Sequence, residues 1–281
     1  MVGGRVVFDI HVHTGPDIVE RRLDDIEAVE AYQEAGYEGC VFKSHNEPTG
    51  ARAALIRKST GFPAYGSVTL NRAVGGFNPA AVAVQLALGA RVVWMPTEDA
   101  VLHRQGGLPR GLAGHPVLGD QPGYGIPPVD RTSAAAIDDI LELIASADAV
   151  LATGHLSAGE CAWLLPQARR RGVRRIVLTH PSYTVPDMGP KDIVELAALG
   201  AKVEITAYQL LCQPGMTAGL LAAVARSVGD ALVLSSDAGQ PAMPPPPEAL
   251  AQLIDALVYE GVDRGLLHAA ASSIPRELVV A

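Results

Sequence analysis

Eight times along the chain, a short apolar run of strand-forming residues is followed by a segment of helical periodicity. This alternation constrains the fold most, because consecutive parallel strands need a long crossover and a helix supplies it. The strands are expected at Val6 to Ile10, Gly39 to Lys43, Ala64 to Leu70, Arg91 to Met95, Ala149 to Thr153, Arg174 to Thr179, Ala201 to Thr206 and Ala231 to Ser236. Eight units in 281 residues predict a closed (β/α)8 TIM-type barrel in the α/β class, since such barrels run to about 250 residues. The chain is read as a single domain spanning 1–281. The alternative, an open doubly wound sheet, is weakened because no Gly-x-Gly-x-x-Gly follows the first strand.

Cap chemistry places the helices. Asp24 is positioned to open one running to about Ala35, with Ile26, Val29 and Tyr32 as its buried stripe and Gly36 as its end. A second is expected from about Thr49 to Lys58, and Asn78-Pro79 opens a third that Gly89 closes. Ser133 is read as the cap of a helix whose inner face is Ile137, Ile140, Leu141 and Ile144. Ser157 and Glu160 form a capping box, Pro190 opens a helix that Gly200 ends, and further helices cover about Thr217 to Val228 and the stripe Leu250, Leu253, Ile254 and Leu257. The stretch from about Glu98 to Asp130 is too long for a plain connection and is read as a lid or binding segment, or else as disordered. The tract Pro241 to Pro247 suits neither helix interior nor central strand, and is read as a stiff crossing that shapes one wall of the site.

Composition narrows the partners. A net charge of -8 argues against nucleic acid, and no run of about 18 apolar residues suggests a membrane span. The three cysteines are too scattered for a disulfide framework, and the opening residues lack a basic and then apolar leader. These features point to a cytoplasmic protein acting on a small molecule, with a homo-oligomer as a general prior.

The strand exits carry the chemistry. In a barrel of this type, functional residues gather at the C-terminal ends of the strands. Strand one leads into Asp9-Ile10-His11-Val12-His13, whose two histidines share a side because side chains alternate. Two imidazoles so placed can hold a divalent metal. Strand two exits through Lys43-Ser44-His45, strand five through His155, strand six through His180 and strand eight through Asp237. Singly, each could be a packed or capping residue; their joint placement proposes a metal site.

In these features the chain resembles the amidohydrolase superfamily, as does its ending Ile274-Pro275-Arg276-Glu277-Leu278. Within it, the segments His11 to Asp17, Lys43 to Thr49, Trp94 to Thr97, Thr153 to Leu156 and Ser236 to Gln240 look like those of an uncharacterised group of metal-dependent hydrolases. The resemblance implies one or two divalent ions held by His11, His13, His155, His180 and Asp237. Zinc is the first expectation, with manganese or iron suited to the same donors. The superfamily's bridging carboxylated lysine usually follows strand four, which here exits through Pro96-Thr97-Glu98-Asp99. Either Lys43 is carboxylated instead, or His45 is the ligand and Lys43 meets the substrate. The segment His11 to His45 also looks like the polymerase-and-histidinol-phosphatase type of phosphoesterase, but that type closes with Asp-x-His where this chain has Asp237-Ala238-Gly239.

The implied reaction is attack of metal-activated water on an amide, cyclic amide or lactone carbonyl. Asp237 would move the proton, and His180 or His155 would bind a second ion or steady the oxyanion. Candidate substrate contacts are Arg22 with its neighbour Arg21, Asn71, Arg72, Thr97, His103 and Glu204. A phosphoric-ester hydrolase is the alternative enzyme; a non-catalytic metal- or ligand-binding barrel is the alternative outside catalysis.

Overall fold

The structure is a computed structural model, and it describes residues 7–127 and 131–280. Val6, expected to start the first strand, and Asp130, expected to end the long loop, lie outside the described residues. The strands are β1 (Phe8–His13), β2 (Gly39–Lys43), β3 (Ala64–Tyr65), β4 (Ser67–Thr69), β5 (Val92–Trp94), β6 (Val150–Ala152), β7 (Arg175–Leu178), β8 (Lys202–Thr206) and β9 (Leu232–Ser235). All pair in parallel, as β1-β2-β3 and β4-β5-β6-β7-β8-β9.

The expected third strand is therefore split at Gly66. A Cβ there would lie 2.4 Å from Gly50 Cα, so the bare backbone lets the next helix start against the strand. Hydroxyls carry the seam across the break: Ser67 Oγ donates to the Phe42 carbonyl and Thr69 Oγ1 to the Ser44 carbonyl, each at 2.7 Å. The other seam joins β9 to β1. Asp237 N donates to His11 O and His13 N to Ala238 O, both at 2.8 Å. The eight strand positions thus form the ring of a (β/α)8 barrel, with helices outside.

Local chemistry explains most boundaries. Asp24 caps helix Asp25–Glu34 in a full capping box with Glu27, worth about 1 kcal/mol. Asn78 caps Pro79–Ala87 and Ser157 caps Ala158–Arg170. Three expectations are corrected. Ser133 lies inside helix Arg131–Ser146 rather than at its cap. Ile26 is 54% exposed, because only Val29 and Tyr32 of its stripe reach the barrel. Pro246 and Pro247 start helix Pro246–Tyr259, where their missing N–H groups cost nothing. Three short helices, Val101–Gln105, Ala207–Cys212 and Arg264–Ala271, have no counterpart among the expected elements. Among the described residues, no helix is long and apolar enough to cross a membrane.

The barrel interior is packed by Phe8, Ile10, Val41, Val92, Trp94, Val150, Ala152, Val177 and Val233, with Leu278 and Val279 joining them from the last helix. A register shift between Asp9 and Val12 changes the side-chain parity of β1. Phe8 and Ile10 face this interior, whereas Val12 packs outward with Val29 and Tyr32. The bulge consequently turns His11 and His13 inward, above Trp94.

Candidate metal centre and active-site cavity

His11 stands over Trp94, with ring centroids 4.7 Å apart. Its Nδ1 lies 3.0 Å from Glu204 Oε1, so it carries the proton and leaves the lone pair on Nε2, the atom a metal would take. Glu204 is wholly buried at the centre of β8. It also accepts from Ser235 Oγ (2.6 Å) and from the backbone N of His180 (3.1 Å). Burial alone would raise the Glu204 carboxyl, but the facing His11 holds it below the ordinary glutamate range.

His11 Nε2 and His13 Nε2 lie 3.0 and 3.2 Å from one oxygen, Asp237 Oδ1. All three side chains are buried, and their donor atoms lie within 4.8 Å of one another. Ligands about 3.3 Å apart are what a tetrahedral ion with 2.0–2.1 Å bonds requires. The electrostatics agree. Burial and the neighbouring Lys43 would lower the His11 imidazole, yet Asp237 and Glu204 together raise it, so the spot attracts positive charge. His13 is driven far down, by burial first and Arg21 second, and stays neutral. Asp237 is held well below the ordinary aspartate range: His11 and His13 outweigh the burial that opposes ionisation. Two neutral nitrogens, a carboxylate and a local demand for cationic charge fit a divalent metal.

The backbone at two of these positions is strained. His180 has φ 25° and Asp237 φ 48°, a region that non-glycine residues enter at a cost of about 1–3 kcal/mol and mostly at functional sites. His180 Nε2 is 3.9 Å from Asp237 Oδ2, and its Nδ1 is buried with no hydrogen-bond partner among the described residues.

Lys43 Nζ sits 2.9 Å from His11 Nε2 and 4.6 Å from the Trp94 ring centroid. Burial pushes its ammonium down to about 8, against the raising pull of Asp237 and Glu204. His45 stacks on His13 at 4.8 Å and bonds Thr97 Oγ1 through Nδ1 at 2.8 Å. His155 lies 5.2 Å from the His180 ring. Its tautomer can be worked out. His103 Nε2 must donate to the Pro109 carbonyl at 3.0 Å, so His103 Nδ1 accepts. The 2.8 Å contact between the two Nδ1 atoms then places a proton on His155 Nδ1 and leaves Nε2 bare. Burial keeps both rings neutral.

These groups line a cavity of about 260 Å³ at the C-terminal mouth of the barrel, shared by His13, Lys43, His45, His103, His155, His180 and Asp237. Five residues expected at a substrate do not line it. Arg22 is exposed and reaches the Pro241 carbonyl at 3.2 Å. Asn71 ties loops together, donating to His45 O (3.0 Å) and Thr97 Oγ1 (2.7 Å) while accepting from Thr97 N (2.8 Å). Arg72 bonds the Pro122 carbonyl and stacks 4.9 Å from Tyr124. Thr97 is spent on His45, and Glu204 lies beneath His11 and His180. Their common role is to hold the loops and imidazoles in place. Arg21, Arg110, Tyr183, Tyr208 and Gln240 line the cavity instead. The two tyrosines follow the exits of β7 and β8 and could have been read from that position; Arg110 lies in the long loop and gave no signal.

The chain matches the sequence profile of a family of unknown function, DUF6282, over residues 6–204. It belongs to that family. No curated protein matches it significantly in sequence. Solved structures of similar fold include an amidohydrolase from Pseudomonas aeruginosa, with TM-score 0.63, 11% identity and coverage of 99% of this chain and 97% of that one. A lactonase from Listeria monocytogenes gives TM-score 0.62 at 12% identity, covering 99% and 94%. A TatD homologue from Escherichia coli gives 0.55 at 15%, covering 98% of both chains. At these identities the shared property is the (β/α)8 barrel.

Proposed function

We propose that this protein is a metal-dependent hydrolase of the amidohydrolase type, acting on an amide, cyclic amide or lactone carbonyl of a small molecule. The observation that carries the reading is the buried convergence of His11, His13 and Asp237. They would hold a divalent cation, zinc first, with His155 and either His45 or a carboxylated Lys43 as further donors around it. When bound, the ion would polarise the carbonyl and lower the pKa of a water. The chain's own residues do the rest. Glu204 fixes the His11 tautomer and the His180 backbone. Asp237 Oδ2, the oxygen not shared by His11 and His13, takes a proton from the attacking water and returns it to the leaving group. His180 faces that oxygen and steadies developing negative charge. The similarity in fold to an amidohydrolase and to a lactonase supports the same class of bond.

The phosphoesterase reading loses support at Gly239. A histidine closing an Asp-x-His motif would stand there, yet a Cβ at this position would lie 2.0 Å from His13 O. No side chain fits without displacing the metal-site strand. The test is metal analysis of the purified protein together with hydrolysis of a lactone and cyclic-amide panel by wild type and Asp237→Asn. The proposal expects bound divalent metal and hydrolysis that the variant loses with its fold intact. Metal-free protein that hydrolyses normally, or full activity in Asp237→Asn, would overturn it.

A further inference from the structure

The hydrolytic reading leaves two cations of the cavity unused, Arg21 and Arg110. Resting on that reading, we propose that the substrate carries a carboxylate separate from its scissile carbonyl, and that Arg21 and Arg110 hold it. Arg21 is built into place. Its side chain is 6% exposed, and Nε and Nη2 both donate to a single oxygen, Asp17 Oδ2, at 2.9 and 2.7 Å. Asp17 is itself anchored, its Oδ1 accepting from Ile18 N at 2.7 Å and its Oδ2 from Ser44 Oγ at 3.3 Å. Arg21 Nη1 makes no hydrogen bond with any described residue, so an edge of a fixed guanidinium remains for a ligand.

Arg110 approaches from the long loop. Its Nη2 donates to the Gly119 carbonyl at 3.0 Å, while its ion-pair partner Asp99 stands 4.0 Å from Nη1. Asp99 is committed elsewhere, to Arg72 N at 2.8 Å and Arg104 Nη1 at 3.4 Å. The cavity's own acids cannot answer these arginines. Glu98 accepts from Asn46 Nδ2 at 3.2 Å and from Gly111 N, and Asp237 faces the histidines. Guanidinium stays charged at any working pH and pairs in its plane with a carboxylate. The free donors are few, which suits a planar monoanion better than a tetrahedral dianion. A volume of about 260 Å³ lies below the roughly 300–1,000 Å³ of drug-sized sites, so the acid and the carbonyl belong to one small molecule. Hydrolysis adds water's hydroxyl to the carbonyl carbon and its proton to the leaving oxygen or nitrogen. The product therefore bears two carboxylates.

Glutarate is a product-like probe. Its monoamide keeps one carboxylate for the metal end and lacks the other. Calorimetric titration of the metal-loaded protein should show glutarate binding at least tenfold tighter than the monoamide. Arg110→Met should abolish that preference, and so should Arg21→Met paired with Asp17→Asn, which avoids stranding the buried aspartate. Equal affinities in wild type, or a preference unchanged in both variants, would overturn the proposal, as would inorganic phosphate binding more tightly than glutarate. The hydrolysis panel with Asp237→Asn judges the enzymatic reading separately. Hydrolysis without carboxylate preference sinks only this inference, and carboxylate preference without any hydrolysis sinks only the reading beneath it.

Discussion

Replacing Glu204 by Gln changes one atom's chemistry at the base of the site. Glu204 accepts three hydrogen bonds, from His11 Nδ1 and Ser235 Oγ on one oxygen and from His180 N on the other. A glutamine has only one accepting oxygen. If that oxygen stays with His11 and Ser235, the amide NH2 opposes the His180 N–H and strands a buried donor, costing about 1–3 kcal/mol. If it turns the other way, His11 loses the acceptor that keeps its proton on Nδ1. Nε2 then carries a proton for part of the time and cannot ligate. Losing such a supporting carboxylate weakens metal binding about 10–100-fold, or roughly 1.4–2.8 kcal/mol at 1.4 kcal/mol per decade. Chelator-competition titration of zinc and denaturant unfolding of the metal-free protein would measure both terms. Zinc affinity within twofold of wild type and an unmoved unfolding midpoint would refute the role given to Glu204.

Three further outcomes are expected. Gly239→Ala, at φ +136° and 2.0 Å from His13 O, should destabilise the fold by about 1–3 kcal/mol through overpacking and displace His13, seen as a lowered melting temperature and weaker zinc binding. Asp148→Asn removes a carboxylate whose desolvation is outweighed by Arg175 and Arg174 together, which hold it below its ordinary value; Asn tolerates the φ of 47° there. A lowered folded-state pKa stabilises the protein above the unfolded value and ceases to as pH falls through the folded one. The melting-temperature gap between wild type and Asp148→Asn should therefore be present at neutral pH and close as pH drops below the ordinary aspartate range of about 3.9; a gap independent of pH would count against the ion pair. Cys40 and Cys161 are buried and Cys212 exposed, and burial raises all three thiols, Cys161 to about 12. A thiol reagent should modify Cys212 alone in the native protein and all three in denaturant; rapid labelling of Cys161 would contradict its packing.

The barrel was legible in the sequence because each unit announces itself by an apolar strand and several add a capped helix. Asp24, Asn78 and Ser157 cap the helices they were expected to cap. What escaped was non-local. The split at Gly66 depends on the approach of Gly50, and the parity change in β1 on a bulge that no alternation pattern reports. The metal-competent residues were legible by their position after strands, a rule of the fold. The substrate contacts were less so, because residue type does not tell which loop residue points inward. Asn71, Arg72 and Thr97 have the right chemistry and spend it on neighbouring loops. Arg110 is brought to the cavity by a turn of the long loop, a placement set by tertiary contacts such as Glu98 with Gly111.

His11, His13 and Asp237 are proposed to hold a cation at the mouth of the barrel. Crystals grown with zinc and measured across its absorption edge address this directly. An anomalous peak is expected about 2.0–2.2 Å from His11 Nε2, His13 Nε2 and an Asp237 oxygen. A saturated crystal with no peak there, or with zinc bound only at surface histidines such as His115, would contradict it.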